Sequence, residues 1–357
     1  MVQEKDMYFT SWDGETYAVN INTGGILWNT SLGWSSSSSP AVSEKKVFVG
    51  SNDGLYALDK KTGMVTWKKK IGAVLSKPVF YNNRVFCGSI DGRIHVFNST
   101  DGCIEWIFKT NGAIYSSPVV YNNVIYIGST DGILYGINVK TGEVKWFYKT
   151  GGPICSTPCI HRDAVYFGSW DNNLYALDCE TGEVKWRFTT GWGVVSSPAV
   201  WNNTLYFGGM DNNFYTVDAD DGKLKWCFTS KAAIRSSPTV YGGFVFFGCD
   251  DGRVYALNAS TGQLIWSYAP SYHIEEDVYS YLTKPIVSSP VACDGKIIVG
   301  STDGGIYVLD AQTWEKKTVV EEETKIPVET WIFLFLPLLL IVSLTVAYLY
   351  RKRGGKE

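Results

Sequence analysis

A repeat of about 40 residues runs through most of this 357-residue chain and limits what it can fold into. A proline and a tryptophan mark each unit, at Pro40, Pro78, Pro118, Pro158, Pro198, Pro238 and Pro290, and at Trp28, Trp67, Trp106, Trp146, Trp186, Trp226 and Trp266. Successive prolines are 38, 40, 40, 40, 40 and 52 residues apart. At one fixed place in each unit an Asp-Gly or Asp-Asn pair recurs, eight times in all from Asp13 to Asp303. Such a period is typical of repeat architectures, and these markers predict eight units.

Each unit has the pattern of four short strands. Runs rich in Val, Ile, Tyr and Phe alternate with Asn-Asn, Asp-Gly and Thr-Gly pairs, which suit tight turns between antiparallel strands. The runs are too short and too β-branched for helical hairpins, which have a similar period. The sequence therefore predicts an all-β fold, an eight-bladed β-propeller of four-stranded antiparallel blades over residues 1–320, with most of the first strand of blade 1 missing.

Composition argues against two broad classes of protein. Hydrophobic residues make up 45% of the chain, which is enough for a large core and argues against general disorder. The formal net charge is −3, so there is no basic footprint that would favour nucleic-acid binding. The eight cysteines include no Cys-x-x-Cys pair, so neither a zinc site nor a redox motif is predicted and most are expected to be free.

The turn that leads into each marker tryptophan carries a family resemblance. Ala57-Leu58-Asp59-Lys60-Lys61-Thr62-Gly63 followed by Trp67, and its counterpart ending at Trp186, resemble the tryptophan-docking motif of PQQ-like (quinoprotein-type) repeat propellers. The resemblance implies that the marker tryptophans fasten neighbouring blades together, namely Trp28, Trp67, Trp106, Trp146, Trp186, Trp226 and Trp266. Blade 8 departs from the motif at Trp314 and Thr318, where Gly and Trp are expected, which predicts a degenerate outer strand.

The C-terminal part of the chain contains twenty consecutive uncharged residues, 331–350. A helix of that length crosses the hydrocarbon core, and Trp331 and Tyr348 mark its ends as interfacial anchors do. The sequence predicts a linker at 321–330, a transmembrane helix at 331–350 and a basic cytoplasmic tail at 351–357, with the propeller extracytoplasmic. Because this topology needs an export signal, we expect the true start to lie upstream of Met1. A tail-anchored protein with a cytosolic propeller is the alternative.

The resemblance also raises the question of a cofactor. Quinoprotein dehydrogenases with this fold bind pyrroloquinoline quinone and calcium over the propeller axis, and they typically carry adjacent cysteines and long inserted loops. This chain has no Cys-Cys pair, and most of its units are 40-residue repeats without inserted loops. We therefore predict no catalytic residue, no cofactor and no metal site. The recurring aspartates are explained by the hairpin turns that they begin. A pyrroloquinoline-quinone-dependent dehydrogenase stays open as the alternative.

Departures from the repeat indicate one face of the predicted propeller. Loops between blades and turns between second and third strands emerge on the same face, because successive strands alternate in direction. Twelve extra residues before Pro290 belong to this face. The candidate partner-binding residues are Trp12, Trp34, Trp170, Trp192, Tyr272, His273, Glu275, Glu276 and Tyr279. Grouped aromatic residues favour a protein-binding surface. The alternative is that the tryptophans cover the ends of neighbouring blades.

Two basic residues interrupt the Ser-rich and apolar first strands of the units. Lys77 and Arg235 are the candidate axial-channel residues, placed to attract an anionic group. The sequence thus predicts a membrane-anchored extracytoplasmic propeller that binds a protein or peptide partner without catalysis. Its functional analogy is to the scaffold propellers of bacterial outer-membrane assembly, which suggests a role in cell-envelope protein assembly. A quinone-dependent dehydrogenase is the first alternative, and an extracellular ligand sensor is the second.

Overall fold

The repeat units fold into four-stranded antiparallel sheets. The computed structural model describes residues 2–3, 6–11, 13–33, 38–269, 285–286, 288–301, 306–310 and 316–320. These residues form eight such sheets, each built from strands that follow one another along the chain, here called A, B, C and D. The predicted fold class, an all-β propeller of eight four-stranded antiparallel blades, is therefore confirmed.

The strands of successive blades have closely similar bounds. Blade 1 contains Val2–Gln3, Asp6–Thr10, Glu15–Asn20 and Ile26–Ser31; blade 2 contains Ala41–Val42, Lys46–Ser51, Gly54–Asp59 and Val65–Lys69; blade 3 contains Val79–Tyr81, Arg84–Gly88, Arg93–Asn98 and Ile104–Lys109; blade 4 contains Val119–Tyr121, Val124–Gly128, Ile133–Asn138 and Val144–Lys149. Blade 5 contains Cys159–His161, Ala164–Gly168, Asn173–Asp178 and Val184–Thr189; blade 6 contains Ala199–Trp201, Thr204–Gly208, Asn213–Asp218 and Leu224–Thr229; blade 7 contains Thr239–Tyr241, Phe244–Gly248, Val254–Asn258 and Leu264–Tyr268; blade 8 contains Val291–Cys293, Lys296–Gly300, Ile306–Asp310 and Lys316–Val320.

The turns within the blades show why paired polar residues recur. In blade 4 the A–B turn is an Asn-Asn pair with positive φ at both residues, 47° at Asn122 and 60° at Asn123. Blade 7 has Gly242 and Gly243 at the same place, again with positive φ. Two consecutive positive φ values suit the tight turn that matches the twist of antiparallel strands.

The A strands lie around the axis and the D strands form the rim. Adjacent A strands contact one another, as Val79–Tyr81 does with Val119–Tyr121. Strands B and C supply most of the buried side chains, and the hydrophobic clusters join neighbouring blades, such as the cluster that contains both Tyr126 and Val165. Clusters of this kind connect each consecutive pair of blades around the ring.

The marker tryptophans of strand D lie between the blades. In blades 1 to 6 the indole N–H donates to a backbone carbonyl of the next blade at 2.9–3.1 Å, from Trp28 to Lys60, Trp67 to Ser99, Trp106 to Val139, Trp146 to Cys179, Trp186 to Ala219 and Trp226 to Ala259. The ring rests on the glycine of the next Thr-Gly turn. A Cβ on Gly182 would lie 2.6 Å from the Trp146 ring, and Gly182 has a φ of 74°. Glycine is needed there for both reasons.

Blade 1 packs against blade 8 and closes the ring. Met7 and Val19 of blade 1 share a hydrophobic cluster with Ile298 and Val308 of blade 8. Strand A of blade 1 is the two-residue Val2–Gln3, which is shorter than the three-residue A strands of blades 3 to 8.

The outer strand of blade 8 pairs in a register unlike that of the other blades. In blade 4 the C–D ladder shifts between Gly136 and Ile137, near the middle of strand C. In blade 8 the shift lies between Ile306 and Tyr307, at the start of strand C. Strand D of blade 8 therefore forms, but it pairs with strand C in a different register from the D strands that carry a marker tryptophan.

The chain divides into two units, Met1–Val320 and Glu321–Glu357. The predicted linker at 321–330, transmembrane helix at 331–350 and tail at 351–357 lie outside the described residues, so these boundaries stay predictions. In the part of the chain that the structure describes, no helix is long and apolar enough to cross a bilayer.

Candidate partner-binding face

The predicted binding face is the end of the blades where the D–A loops and the B–C turns lie, here called the upper face. Trp170 lies in the B–C turn of blade 5, and Trp192 lies in the loop from blade 5 to blade 6. The structure brings the two positions together, because Gly193 lies against Trp170. The other predicted residues of this face, Trp12, Trp34, Tyr272, His273, Glu275, Glu276 and Tyr279, lie outside the described residues.

Trp192 projects from a loop that does not need a large side chain. The loop is fixed by its backbone: Gly191 N–H donates to Asp211 Oδ2 at 2.7 Å, and Val194 N–H donates to the Ser169 carbonyl at 3.0 Å. The equivalent positions are occupied by Gly72, Gly112, Gly152 and Ala232 in four other loops, and by Trp34 in the loop from blade 1 to blade 2. Trp192 is 59% exposed. Its ring therefore contributes little to the core and presents a large apolar surface to solvent.

Trp170 covers the end of its blade. It is half-buried, and its backbone N–H donates to the Pro153 carbonyl at 2.9 Å. A Cβ on Gly193 would lie 3.3 Å from the Trp170 ring, so the ring lies directly over the next loop. Burial raises the pKa of the Cys155 thiol to about 11, and a hydrogen bond from the Trp170 side chain opposes that shift. The two tryptophans thus differ: Trp170 covers a blade end, whereas the ring of Trp192 is mostly exposed.

Met210 extends this surface and was not among the residues predicted from the sequence. It holds in blade 6 the position that Trp170 holds in blade 5, and its N–H donates to the Gly193 carbonyl at 3.0 Å. Met210 is half-buried, whereas Ile90, which has the same position in blade 3, is exposed. The sequence signal that could have identified Met210 is a large apolar residue at a turn position where the fold does not require one. Trp170, Trp192 and Met210 are called the upper patch below.

The two predicted axial-channel residues have different electrostatic surroundings. Arg235 Nε lies 3.0 Å from Asp250 Oδ1 and 2.8 Å from Asp250 Oδ2, so its charge is already compensated. Burial raises the pKa of the Asp250 carboxyl, and the charge of Arg235 opposes that shift. Lys77 is half-buried, burial lowers the pKa of its ammonium group, and the described residues place no carboxylate within ion-pair distance of it.

The recurring aspartates hold turns together. Asp131 Oδ1 accepts from Ile133 N–H at 2.9 Å, while Oδ2 accepts from Tyr135 O–H at 2.8 Å and from Asn111 N–H at 3.0 Å. Asp171 and Asp211 make the same set of bonds. Carboxylates that already accept from N–H and O–H groups of the chain have few lone pairs left for a cation.

A calcium ion like that of the quinoprotein dehydrogenases would need side chains grouped as metal ligands. Within the described ranges, no three His, Cys, Asp or Glu side chains are grouped so that they could hold a metal ion.

Two small cavities lie on the opposite face of the described blades. The larger, of about 230 Å³, lies between blades 4 and 5 and is lined by residues that include Tyr121, Lys145 and Glu180. An equivalent cavity of about 170 Å³ lies between blades 5 and 6. Both are smaller than the ~300 Å³ at which small-molecule sites usually begin. Because the two cavities lie at equivalent places between successive blades, they are grooves that the repeated structure itself creates.

Several solved structures have the same fold. BamB from Moraxella catarrhalis superposes with a TM-score of 0.73 and 19% identity, over 86% of this chain and 92% of that chain. The computationally designed Ika8 protein has a TM-score of 0.75 and 18% identity, over 86% and 94%. A europium-containing methanol dehydrogenase has a TM-score of 0.70 and 15% identity, over 86% and 81%. At these identities the likeness shows the fold alone.

Sequence comparison indicates one particular family among proteins with this fold. The outer membrane protein assembly factor BamB of Yersinia pestis is 28% identical over 99 residues, which are 27% of this chain and 25% of the relative. That of Escherichia coli strain K12 is 27% identical over the same length. The aligned segment thus spans a quarter of these curated relatives. The family model described as outer membrane protein assembly factor BamB matches residues 13–169 and 149–326. Because these matches cover well over half of the chain, the protein belongs to the BamB family of PQQ-like repeat propellers.

Proposed function

We propose that this protein is a non-catalytic scaffold propeller that binds a protein or peptide partner through its upper face. In this proposal it acts in cell-envelope protein assembly and carries neither a quinone nor a metal ion. Residues 331–350 anchor it in the membrane, with the propeller on the extracytoplasmic side and the C-terminus in the cytoplasm.

Trp192 is the observation that carries the proposal. A tryptophan at 59% exposure, in a loop position where glycine or alanine suffices in four other loops, adds nothing that the fold requires. Aromatic residues of this kind supply most of the energy of protein–protein interfaces. Trp170 and Met210 beside it give Trp192 an apolar surrounding from which a partner would exclude water. The family supports the same class of function, since its named members are assembly factors.

The first test is site-specific crosslinking from the upper patch. A photoreactive phenylalanine analogue at position 192, in the full chain in its own membranes, is expected to crosslink to a defined partner. The matched control is position 147, because Phe147 is 63% exposed on the rim strand of blade 4. With the partner identified, Trp192→Gly is expected to weaken binding by at least about tenfold, whereas Phe147→Ala leaves it unchanged. Equal effects of the two substitutions, or equal crosslinking from both positions, would contradict the proposal.

The second test concerns the dehydrogenase alternative. The likeness to a methanol dehydrogenase fold is the observation that favours it. Titration of the purified full chain with pyrroloquinoline quinone in the presence of calcium, followed by quenching of tryptophan fluorescence, distinguishes the two functions. We expect no saturable binding. Stoichiometric binding that requires calcium would replace the scaffold proposal by the dehydrogenase.

A third test addresses the side of the membrane. Cys103 and Cys227 are exposed free thiols on the propeller. A membrane-impermeant maleimide is expected to label them in intact cells, and Cys103→Ser with Cys227→Ser should remove most of that labelling. Labelling that appears only after permeabilisation would place the propeller in the cytoplasm instead.

A further inference from the structure

A belt of hydrogen bonds runs around the axis at the residue before the strand A proline. In each case a backbone N–H donates to the hydroxyl of the equivalent residue in the next blade. The bonds run from Lys77 to Ser117 (2.9 Å), Ser117 to Thr157 (3.2 Å), Thr157 to Ser197 (2.8 Å), Ser197 to Ser237 (3.1 Å) and Ser237 to Ser289 (3.0 Å). The belt therefore places one hydroxyl per blade next to the axis in blades 4 to 8.

These hydroxyls still have a proton to donate. A serine or threonine hydroxyl is both donor and acceptor, and here the belt uses its acceptor side. The described residues offer no acceptor for the hydroxyl protons of Ser117, Thr157, Ser197 and Ser237, whose side chains are half-buried. These hydroxyls thus provide O–H donors near the axis, which suit an anion.

Lys77 interrupts the belt with a positive charge. It occupies the belt position of blade 3, where a hydroxyl would accept the N–H of blade 2, and it supplies an ammonium group instead. Lys77 is half-buried and lies two residues before strand A of blade 3, beside the belt that surrounds the axis. An ammonium group that is partly desolvated and has no carboxylate nearby among the described residues gains free energy from an anion. Arg235 lacks this property because Asp250 already neutralises it.

The geometry points to an oxyanion-binding site in the axial channel, formed by the Lys77 ammonium group with the adjacent belt hydroxyls of Ser39 and Ser117. Its ligand class is a small free oxyanion such as phosphate or sulfate, which accepts hydrogen bonds from ammonium and hydroxyl donors together. Ser117 is adjacent because its Oγ lies 2.9 Å from the Lys77 backbone N. Ser39 holds the same position in blade 2 and is exposed. This site is independent of the upper patch and of the proposed scaffold function.

The test is titration of the purified full chain with inorganic phosphate, measured by calorimetry and by the ³¹P resonance of the ligand. The wild-type chain is expected to bind phosphate saturably, and Lys77→Ser is expected to weaken binding at least about tenfold. That substitution introduces the residue that blades 4, 6 and 7 have at this position, so the fold should be kept, and thermal unfolding checks this. Lys77→Arg should retain binding because it retains the charge.

The matched control is Lys145→Ser, which removes an exposed lysine from the rim. It should leave phosphate binding unchanged. The inference is overturned if the wild-type chain shows no saturable binding at millimolar phosphate. It is equally overturned if Lys77→Ser binds as tightly as the wild-type chain, or if Lys145→Ser weakens binding to the same extent.

Discussion

Blade 3 and blade 4 follow the same backbone plan, yet blade 3 lacks three hydroxyl groups that blade 4 uses. Where blade 4 has Ser117, Tyr126 and Tyr135, blade 3 has Lys77, Phe86 and His95. Each hydroxyl of blade 4 has a defined partner: the backbone of the preceding blade, the Cys179 carbonyl at 3.1 Å and Asp131 Oδ2 at 2.8 Å. Both blades nevertheless form the same four strands with the same strand bounds relative to their turns.

The comparison distinguishes the features that a blade needs in order to fold from those that only add to its stability. The alternating apolar pattern, the turns and the marker tryptophan are present in both blades, and they suffice for the fold. The hydroxyl groups add hydrogen bonds to a structure that already forms, each with a net contribution of about 1 kcal/mol. Departures from a repeat that are grouped in one unit are expected at functional sites, and Lys77 is in the unit with these departures.

Loss of the tryptophan should have the largest effect on both blades. Trp146 is buried, contacts the Tyr126 ring at a centroid distance of 5.7 Å and donates to the Cys179 carbonyl. Trp146→Ala should lower the free energy of unfolding by about 3–5 kcal/mol, because it removes a large ring from between two blades. Trp106→Ala should cost somewhat less, since Trp106 is half-buried. Urea denaturation measures both.

The control for this pair is Trp192→Ala, which removes a tryptophan that is mostly exposed. Its effect on the free energy of unfolding should lie within about 0.5 kcal/mol of zero. If Trp146→Ala were as mild as Trp192→Ala, the marker tryptophans would not hold the blades together.

The glycine beneath the ring should have the next largest effect. Gly182 and Gly295 have the same φ of 74°, but only Gly182 lies against a ring: an added Cβ there would be 2.6 Å from Trp146, whereas Gly295 has open space. Gly295→Ala should cost about 1 kcal/mol through backbone strain alone. Gly182→Ala should cost about 1–3 kcal/mol more, because the ring must move. If both substitutions lowered the urea midpoint equally, the Trp146 ring would move aside at no cost in stability.

The fold was predictable from the sequence because each of its determinants is local. The 40-residue period, the Asn-Asn and Asp-Gly turns and the short alternating strands are all readable within one unit, and their repetition removes ambiguity. The altered register of the last outer strand lies where the sequence departs from the motif, at Trp314 and Thr318.

The site was less predictable because it depends on contacts between units. Trp170 and Trp192 look equivalent in sequence, but Gly193 leaves room for one ring to fold over the loop while the other stays exposed. Lys77 and Arg235 are both basic residues shortly before a strand A proline, at different positions of the repeat. Arg235 pairs across a turn with Asp250, which lies fifteen residues away in sequence, whereas the described residues place no carboxylate within ion-pair distance of Lys77. Only the three-dimensional arrangement shows that one charge is compensated and the other is not.

His95 provides a test of the third hydroxyl group. It takes the place of a tyrosine, it is buried, and its Nε2 lies 3.9 Å from Asp91 Oδ1. His95→Tyr should raise the free energy of unfolding by about 1 kcal/mol at neutral pH, because it allows the hydrogen bond to aspartate that blade 4 has. Blade 7 shows that the bond is compatible with a neighbouring arginine: Tyr255 O–H donates to Asp251 at 2.5 Å beside Arg253.

The same substitution should change the pH dependence of stability. Burial lowers the pKa of His95, Asp91 opposes the shift and Arg93 adds to it. The unfolded chain therefore binds a proton more readily than the folded chain, so stability should fall as the pH is lowered through the unfolded-state pKa of about 6.5. His95→Tyr should flatten this part of the profile between about pH 7 and pH 5. Thermal unfolding at several pH values measures it, and identical slopes for both chains would contradict the assignment.

The smallest expected effect concerns the hydroxyl that blade 3 lacks at its contact with blade 4. The Cys179 carbonyl accepts from both Tyr126 and Trp146, while the equivalent Val139 carbonyl accepts from Trp106 and faces Phe86 in place of a tyrosine. Phe86→Tyr should raise the free energy of unfolding by up to about 1 kcal/mol, because the added hydroxyl meets a carbonyl that has room for a second donor. Tyr126→Phe should lower it by a similar amount. If Phe86→Tyr were destabilising, the Phe86 pocket would differ in shape from that of Tyr126, and the two blades would differ in more than hydroxyl content.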